Sequence, residues 1–269
     1  MAYNKEVLLD KVIQEYLKKQ EPIGSETLKT SLQIKVSSAT IRNYFKAFTH
    51  EGILAQPHAS GGRIPTALAM KNYWRNKLDF KNLHFAIHST DALKKACTQH
   101  KIFALIKREV KQRFCKLINH ENQYLILVFE NAQVVIAYQP NFERFLLELI
   151  GLELSEIKNI AYQVMANELF DKINALQDKE FSYFGLEALD FLVANPSFHH
   201  LFFEALEAKA LDKLNNGVYF EPLMPEGFMA VVQSITQEEN EAKMLCIGSL
   251  MRDYESFYSQ IVAQSQHKE

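Results

Sequence analysis

The stretch VSSATIRNYF, Val36 to Phe45, constrains the fold more than any other part of the chain. Ser37 or Ser38 supplies an N-cap, and the spacing predicts a helix over about 39–50. Ile41, Phe45 and Phe48 fall at i, i+4 and i+7 and make its buried face, which sends Arg42, Asn43 and Lys46 largely outward. Ahead of it, Val7, Leu8, Val12, Ile13, Tyr16 and Leu17 form a helical stripe over 5–17. QEPIGSE breaks that helix at Pro22 and Gly24, and Ser25 opens a short second helix near 25–32 with Leu28 and Leu32 inward. Gly52 then stands where a helix C-cap belongs, and ILAQPHASGGRIPT reads as strand, turn and return strand. In that turn Gly61 and Gly62 are expected to adopt left-handed backbone angles, with Arg63 projecting from the tip. ALAMKNYWRNKL adds a fourth helix. Three helices, a small hairpin and a helix predict a winged helix-turn-helix domain over residues 1–78, with the helix after the turn entering a major groove.

The remainder, residues 79–269, changes character. LHFAI, KIFALI, RFCKLI, QYLILVF and QVVIAYQ are short β-type runs, the last two joined by the tight turn ENA, and STDALKKACTQH reads as a helix. From Asn141 to about Leu214 the pattern is mostly helical, broken at Gly151, Gly185 and the NPS of 195–197. GVYFEP, GFMAVVQSI and KMLCIGSL are strand-like, and MRDYESFYSQIVAQ closes the pattern as a helix. Strands, then helices, then strands predict an α+β sheet domain that holds a helical insertion. The Phe-rich segment FHHLFFEALEAKALDKL suits core or a dimer contact.

Charge separates the same two regions. Residues 1–78 carry 12 Lys and Arg against 6 Asp and Glu, a net of +6, whereas residues 79–269 carry 18 against 26, a net of −8. A basic head on an acidic body is expected where only the head meets a polyanion. The three cysteines, Cys97, Cys115 and Cys246, are odd in number and far apart, which fits reduced thiols in a cytoplasmic protein. No apolar run approaches the roughly 18–20 residues of a membrane span, and the N-terminal segment lacks a signal-peptide core.

Candidate chemistry gathers in the head. Arg42 can bond guanine edges or phosphate, and Asn43 can pair with adenine. Ser37, Ser38 and Thr40 sit at a capped helix N-terminus suited to a phosphate, with Lys46 one turn further on. His58 and Arg63 lie in the hairpin stretch and complete the expected DNA-binding set. Elsewhere Cys97 and His100 have C-x-x-H spacing without a second ligand pair, and His199-His200 point apart on a helix, so no metal and no cofactor are expected. With no nucleophile, base and orienting partner in recognisable spacing, the chain is not expected to be an enzyme.

The ordered segments EPIGSETL, VSSATIRN and GILAQPHASGGRIPT closely resemble the heat-inducible transcription repressor HrcA family. FLLELIGLELSEI, GLEALDFLVANPSF and IGSLMRDYESF extend that resemblance along the chain. Ala59, Gly61, Tyr44-Phe45 and Ser249-Leu250 depart from the family's usual residues. The resemblance implies a homodimeric repressor of chaperone genes that binds double-stranded DNA at an inverted-repeat operator and loses activity on heating. It further implies a winged helix followed by a GAF-like domain with an inserted dimerising segment, roughly within 150–185, and the chaperonin GroEL as partner. The alternative is a ligand-sensing transcriptional regulator with a small-molecule pocket in the GAF-like domain.

Overall fold

The computed structural model describes residues 4–31, 36–58, 61–78, 85–108, 112–177, 181–208, 210–211, 214–237 and 240–263. They form two compact units: one comprises 1–106, 183–239 and 243–269, the other 107–182 and 240–242. Helices and sheets occur in both, as the α+β reading expected.

In the first unit the chain opens with α1 (Lys5–Lys19), whose buried stripe is Leu8, Val12, Ile13 and Leu17. The Asn4 side chain caps its start, and Gln20, in the left-handed region at φ 55°, ends it. Next come α2 (Ser25–Ser31) and α3 (Ser38–His50). Leu28 from α2 and Ile41, Phe45 and Phe48 from α3 meet Leu8, Val12, Ile23 and Leu54 in one core. Leu32, expected inward, lies outside the described residues. Gly52, at φ +70°, releases the chain from α3.

β1 (Leu54–Ala55) and β2 (Ile64–Pro65) pair antiparallel, Leu54 opposite Pro65 and Ala55 opposite Ile64. A bridge to the α1–α2 connection widens this small sheet: Ile23 N–H donates to the Arg63 carbonyl at 2.8 Å, and Arg63 N–H returns a bond to Ile23 at 2.9 Å. Gly61 and Gly62 are not among the glycines at positive φ, contrary to the expectation that the turn needs left-handed angles there. Close approach is the reason for Gly62 instead. A Cβ on it would lie 2.6 Å from the Ile23 carbonyl carbon and oxygen. α4 (Ala67–Lys77) follows, its N-terminus capped by Thr66, whose hydroxyl also donates to the Gly52 carbonyl at 2.8 Å.

The same unit holds a mixed sheet. β3 (Ala86–Ile87), β10 (Phe228–Gln237), β11 (Asn240–Ser249), β4 (Phe103–Arg108) and β8 (Phe181–Phe184) lie in that order, with β9 (Gly217–Tyr219) on β10. β8 falls in the stretch expected to be helical; FSYF is short, and its partner β4 is far away in sequence, so no local period announces it. α5 (Thr90–His100) and α11 (Tyr254–Ala263) carry Leu93, Ala96, Cys97, Tyr254, Phe257 and Tyr258 into the core. α4 is fastened to this body: Trp74 Nε1 donates to the Leu250 carbonyl at 2.8 Å and Tyr73 OH to Glu255 at 2.9 Å. Short α9 (Asp190–Val193) and α10 (His199–Leu206) belong to this unit as well, with 3-10 turns at Leu186–Leu189 and Pro196–Phe198 ahead of them.

The second unit is an antiparallel meander, β5 (Phe114–His120), β6 (Tyr124–Phe129) and β7 (Gln133–Ala137), with helices α6 (Pro140–Glu148), α7 (Leu154–Gln163) and α8 (Asn167–Gln177). Leu125, Leu127, Val134 and Ile136 alternate along β6 and β7 and pack with Leu146, Ile157, Leu169 and Ile173 of the helices. This unit takes in the β5–β7 strands and the part of the helical stretch up to residue 182.

Candidate nucleic-acid interface

α3 is amphipathic by composition. With Ile41, Phe45 and Phe48 buried, Arg42, Asn43 and Lys46 stand exposed, as the helical spacing requires. At its start Ser37 is the N-cap: its Oγ accepts the Thr40 N–H at 3.1 Å and shares a hydrogen bond with the Thr40 hydroxyl at 2.8 Å. The first turn contains no acidic residue, so the positive end of the helix dipole is not offset from within. Ser37 and Thr40 are exposed, whereas Ser38 is buried at 8%. The accessible hydroxyls at this helix end are therefore those of Ser37 and Thr40, and Ser38 belongs to the packing beneath them.

Arg42 and Lys46 are among the head's cations that form no ion pair with a described residue, as are Lys11, Lys18, Arg63 and Arg75. Lys5 pairs with Glu51, Lys19 with Glu15, Lys29 with Glu26, Lys71 with Glu221 and Lys77 with Asp10. Arg42 and Lys46 have no such partner among the described residues, so their charge is left to the solvent side. Asn43 likewise keeps its amide uncommitted among the described residues.

The arm behaves differently from the sequence expectation. His58 is exposed at its outer part, but Arg63 does not project from a tip. It sits half-buried at the base of β2, with Nε donating to Thr49 Oγ1 at 3.1 Å and Nη1 directed at the Gly61 and Gly62 carbonyls at 3.3 and 3.4 Å. The bridge to Ile23 places the Arg63 backbone inside the small sheet, and this turns its side chain back toward α3. Arg63, Arg42 and Lys46 consequently line one cleft of about 430 Å³ together with Gln56 and Gly62. Thr49 was missed from the sequence although it follows Arg42 and Lys46 at i+7 and i+3, on the same helix stripe.

The alternative chemistries find no comparable grouping. Cys97 and Cys246 are fully buried, and burial pushes the Cys246 thiol up to about 12 and the Cys97 thiol further. Such thiols are poor nucleophiles and poor ligands. His100 is engaged with Gln260 at 3.1 Å, and His199 with the Val193 carbonyl at 2.8 Å. Among the described residues, no three His, Cys, Asp or Glu side chains gather as a metal site would need. No described helix is long and apolar enough to cross a membrane.

A capped helix end, a cationic stripe with no ion pair among the described residues and a small β arm beside it make a surface suited to a polyanion, and so a protein of the binding kind. Residues 74–265 match the family described as the HrcA C-terminal domain. Over 259 residues the chain is 37% identical to the heat-inducible transcription repressor HrcA of Helicobacter pylori strain J99, covering 96% of this chain and 94% of that protein. The repressor of a second H. pylori strain is 36% identical over the same shares. The chain belongs to the HrcA family. A crystal structure described as that of a hypothetical protein shares the fold, with a TM-score of 0.52 and 20% identity over 98% of this chain and 96% of that one.

Proposed function

We propose that the protein is a DNA-binding transcriptional repressor of heat-shock genes of the chaperone type, which binds an inverted-repeat operator as a homodimer and loses activity on heating. Residues 1–78 act as a winged helix-turn-helix head, with α3 as the helix that enters the major groove and the β1–β2 arm as the wing. Arg42 and Asn43 read base edges, and Lys46 with the hydroxyls of Ser37 and Thr40 meets phosphates. His58 contacts DNA from the arm.

The observation that carries this reading is the row Arg42, Asn43, Lys46, without partners among the described residues, on a helix whose other face is locked by Ile41, Phe45 and Phe48. The names of the full-length relatives, heat-inducible transcription repressors, point the same way, and they do not favour a ligand-sensing regulator. Residues 79–269 serve as a GAF-like body, and a segment roughly within 150–185 pairs two copies. Two-fold symmetry in the dimer then matches two-fold symmetry in the operator. GroEL is the expected partner in maintaining activity, in the cytoplasm.

Genome-wide footprinting with purified protein, with and without a heat step, tests the reading. Protection should fall on inverted repeats upstream of chaperone genes and disappear after heating. Uniform, sequence-independent protection would defeat it.

A further inference from the structure

Arg63 is a strange residue to hold back if its task is to reach out from the arm. Its side chain is fixed from two sides. Thr49 Oγ1 donates to the Phe45 carbonyl at 2.8 Å, which sets the direction of its lone pairs, and one of these receives Arg63 Nε at 3.1 Å. Nη1 faces the carbonyls of Gly61 and Gly62. A guanidinium has five N–H donors in a fixed plane, so the two on Nη2 remain, with no partner among the described residues. The cleft that Arg63 lines also receives Arg42 and Lys46. Its carboxylate, Glu26, lies 4.0 Å from Lys29.

We propose that Thr49 is a positioning residue: it draws the Arg63 guanidinium off the arm and against α3, so that Arg63 and Lys46 form a single seat for one backbone phosphodiester of the duplex, beside Arg42. The inference rests on the DNA-binding reading and deepens it. A planar guanidinium held at Nε offers its outer N–H groups in fixed geometry, which suits a phosphate oxygen better than a free side chain does. The seat reads no bases. It sets the register in which Arg42 and Asn43 meet the groove, and its contribution is independent of sequence.

The test uses the full chain and a fluorescein-labelled duplex of mixed sequence, followed by anisotropy at several salt concentrations. The variants are Arg63→Ala, Thr49→Val, Thr49→Ser and the double substitution Thr49→Val/Arg63→Ala. Losing one phosphate contact should flatten the salt dependence of Arg63→Ala by about 0.9 in slope. Thr49→Val, nearly isosteric, should melt with wild type yet reproduce most of the affinity loss of Arg63→Ala, whereas Thr49→Ser should bind as wild type. The double variant should bind no more weakly than Arg63→Ala, because Thr49 acts through Arg63. Multiplying losses, or wild-type binding by Thr49→Val, would overturn the seat while leaving DNA binding intact. Failure of the wild-type chain to bind any duplex would instead remove the DNA-binding reading, and the seat with it.

Discussion

Replacing Gly62 with Ala probes the joint that links the arm to the helices. The added Cβ would stand 2.6 Å from the Ile23 carbonyl carbon and oxygen and 2.7 Å from the Pro22 carbonyl carbon. Optimal carbon contacts lie at about 3.5–4.0 Å, so roughly 1 Å of separation must open between two backbones that cannot rotate away. The bonds linking Ile23 and Arg63, at 2.8 and 2.9 Å, cannot survive that movement. Each is worth about 0.5–1.5 kcal/mol net, and forced overpacking of this kind costs about 1–3 kcal/mol, so the two descriptions agree on a loss of about 2 kcal/mol. Gly61 is the control. Its added Cβ meets His58 O at 3.3 Å, a contact that a small adjustment relieves, and Gly61→Ala should change stability by a few tenths of a kcal/mol at about the scale of a surface substitution. Urea unfolding can be followed through Trp74, the single tryptophan, buried where α4 meets the body. Gly62→Ala should shift the midpoint well below Gly61→Ala and weaken duplex binding, since Arg63 moves with the bridge. Equal midpoints for the two variants would refute the close-approach argument.

Four further outcomes are expected. Phe45→Ala empties a core position that is 4% exposed and should cost about 3–5 kcal/mol by denaturation, whereas its neighbour Lys46→Ala should leave stability within about 0.5 kcal/mol and lower only DNA affinity. Trp74→Phe orphans the buried Leu250 carbonyl and should cost about 1–3 kcal/mol; a variant as stable as wild type would contradict that bond. A thiol reagent should label exposed Cys115 promptly but Cys97 and Cys246 only on unfolding. Because burial raises Cys246 from 9.0 to about 12, its contribution to stability is complete below pH 9 and is lost as pH rises toward 12, when only the unfolded chain ionises early; stability that rises through that window would contradict the burial.

Legibility followed the range of the interactions. Helices α1 and α3 could be read from Leu8, Val12, Ile41, Phe45 and Phe48 because an amphipathic period is local. The cap and the terminator are also local signals: of the two serines the sequence offered, Ser37 is the cap, and Gly52 takes the left-handed turn one residue past the C-cap, Glu51. Arg63 could not be read the same way. Its direction depends on Ile23, forty residues earlier, and on Thr49, and neither pairing leaves a mark in the turn itself. Gly62 shows the same limit: the residue type was legible as special, but its reason, a neighbouring backbone at 2.6 Å, was not. β8 depends wholly on a distant partner strand. Within the candidate interface, exposure of Arg42, Asn43 and Lys46 followed from the helical period, while burial of Ser38 depended on what packs over the helix start.

The most direct measurement is the affinity of Arg42→Ala for a duplex carrying the inverted repeat from upstream of the chaperone genes, set beside wild type at one salt concentration. A lost bidentate base contact is worth about 1–3 kcal/mol, so binding should weaken about 5- to 150-fold while the melting temperature stays unchanged. Wild-type affinity in a folded Arg42→Ala variant would contradict the claim that the exposed face of α3 is what meets DNA.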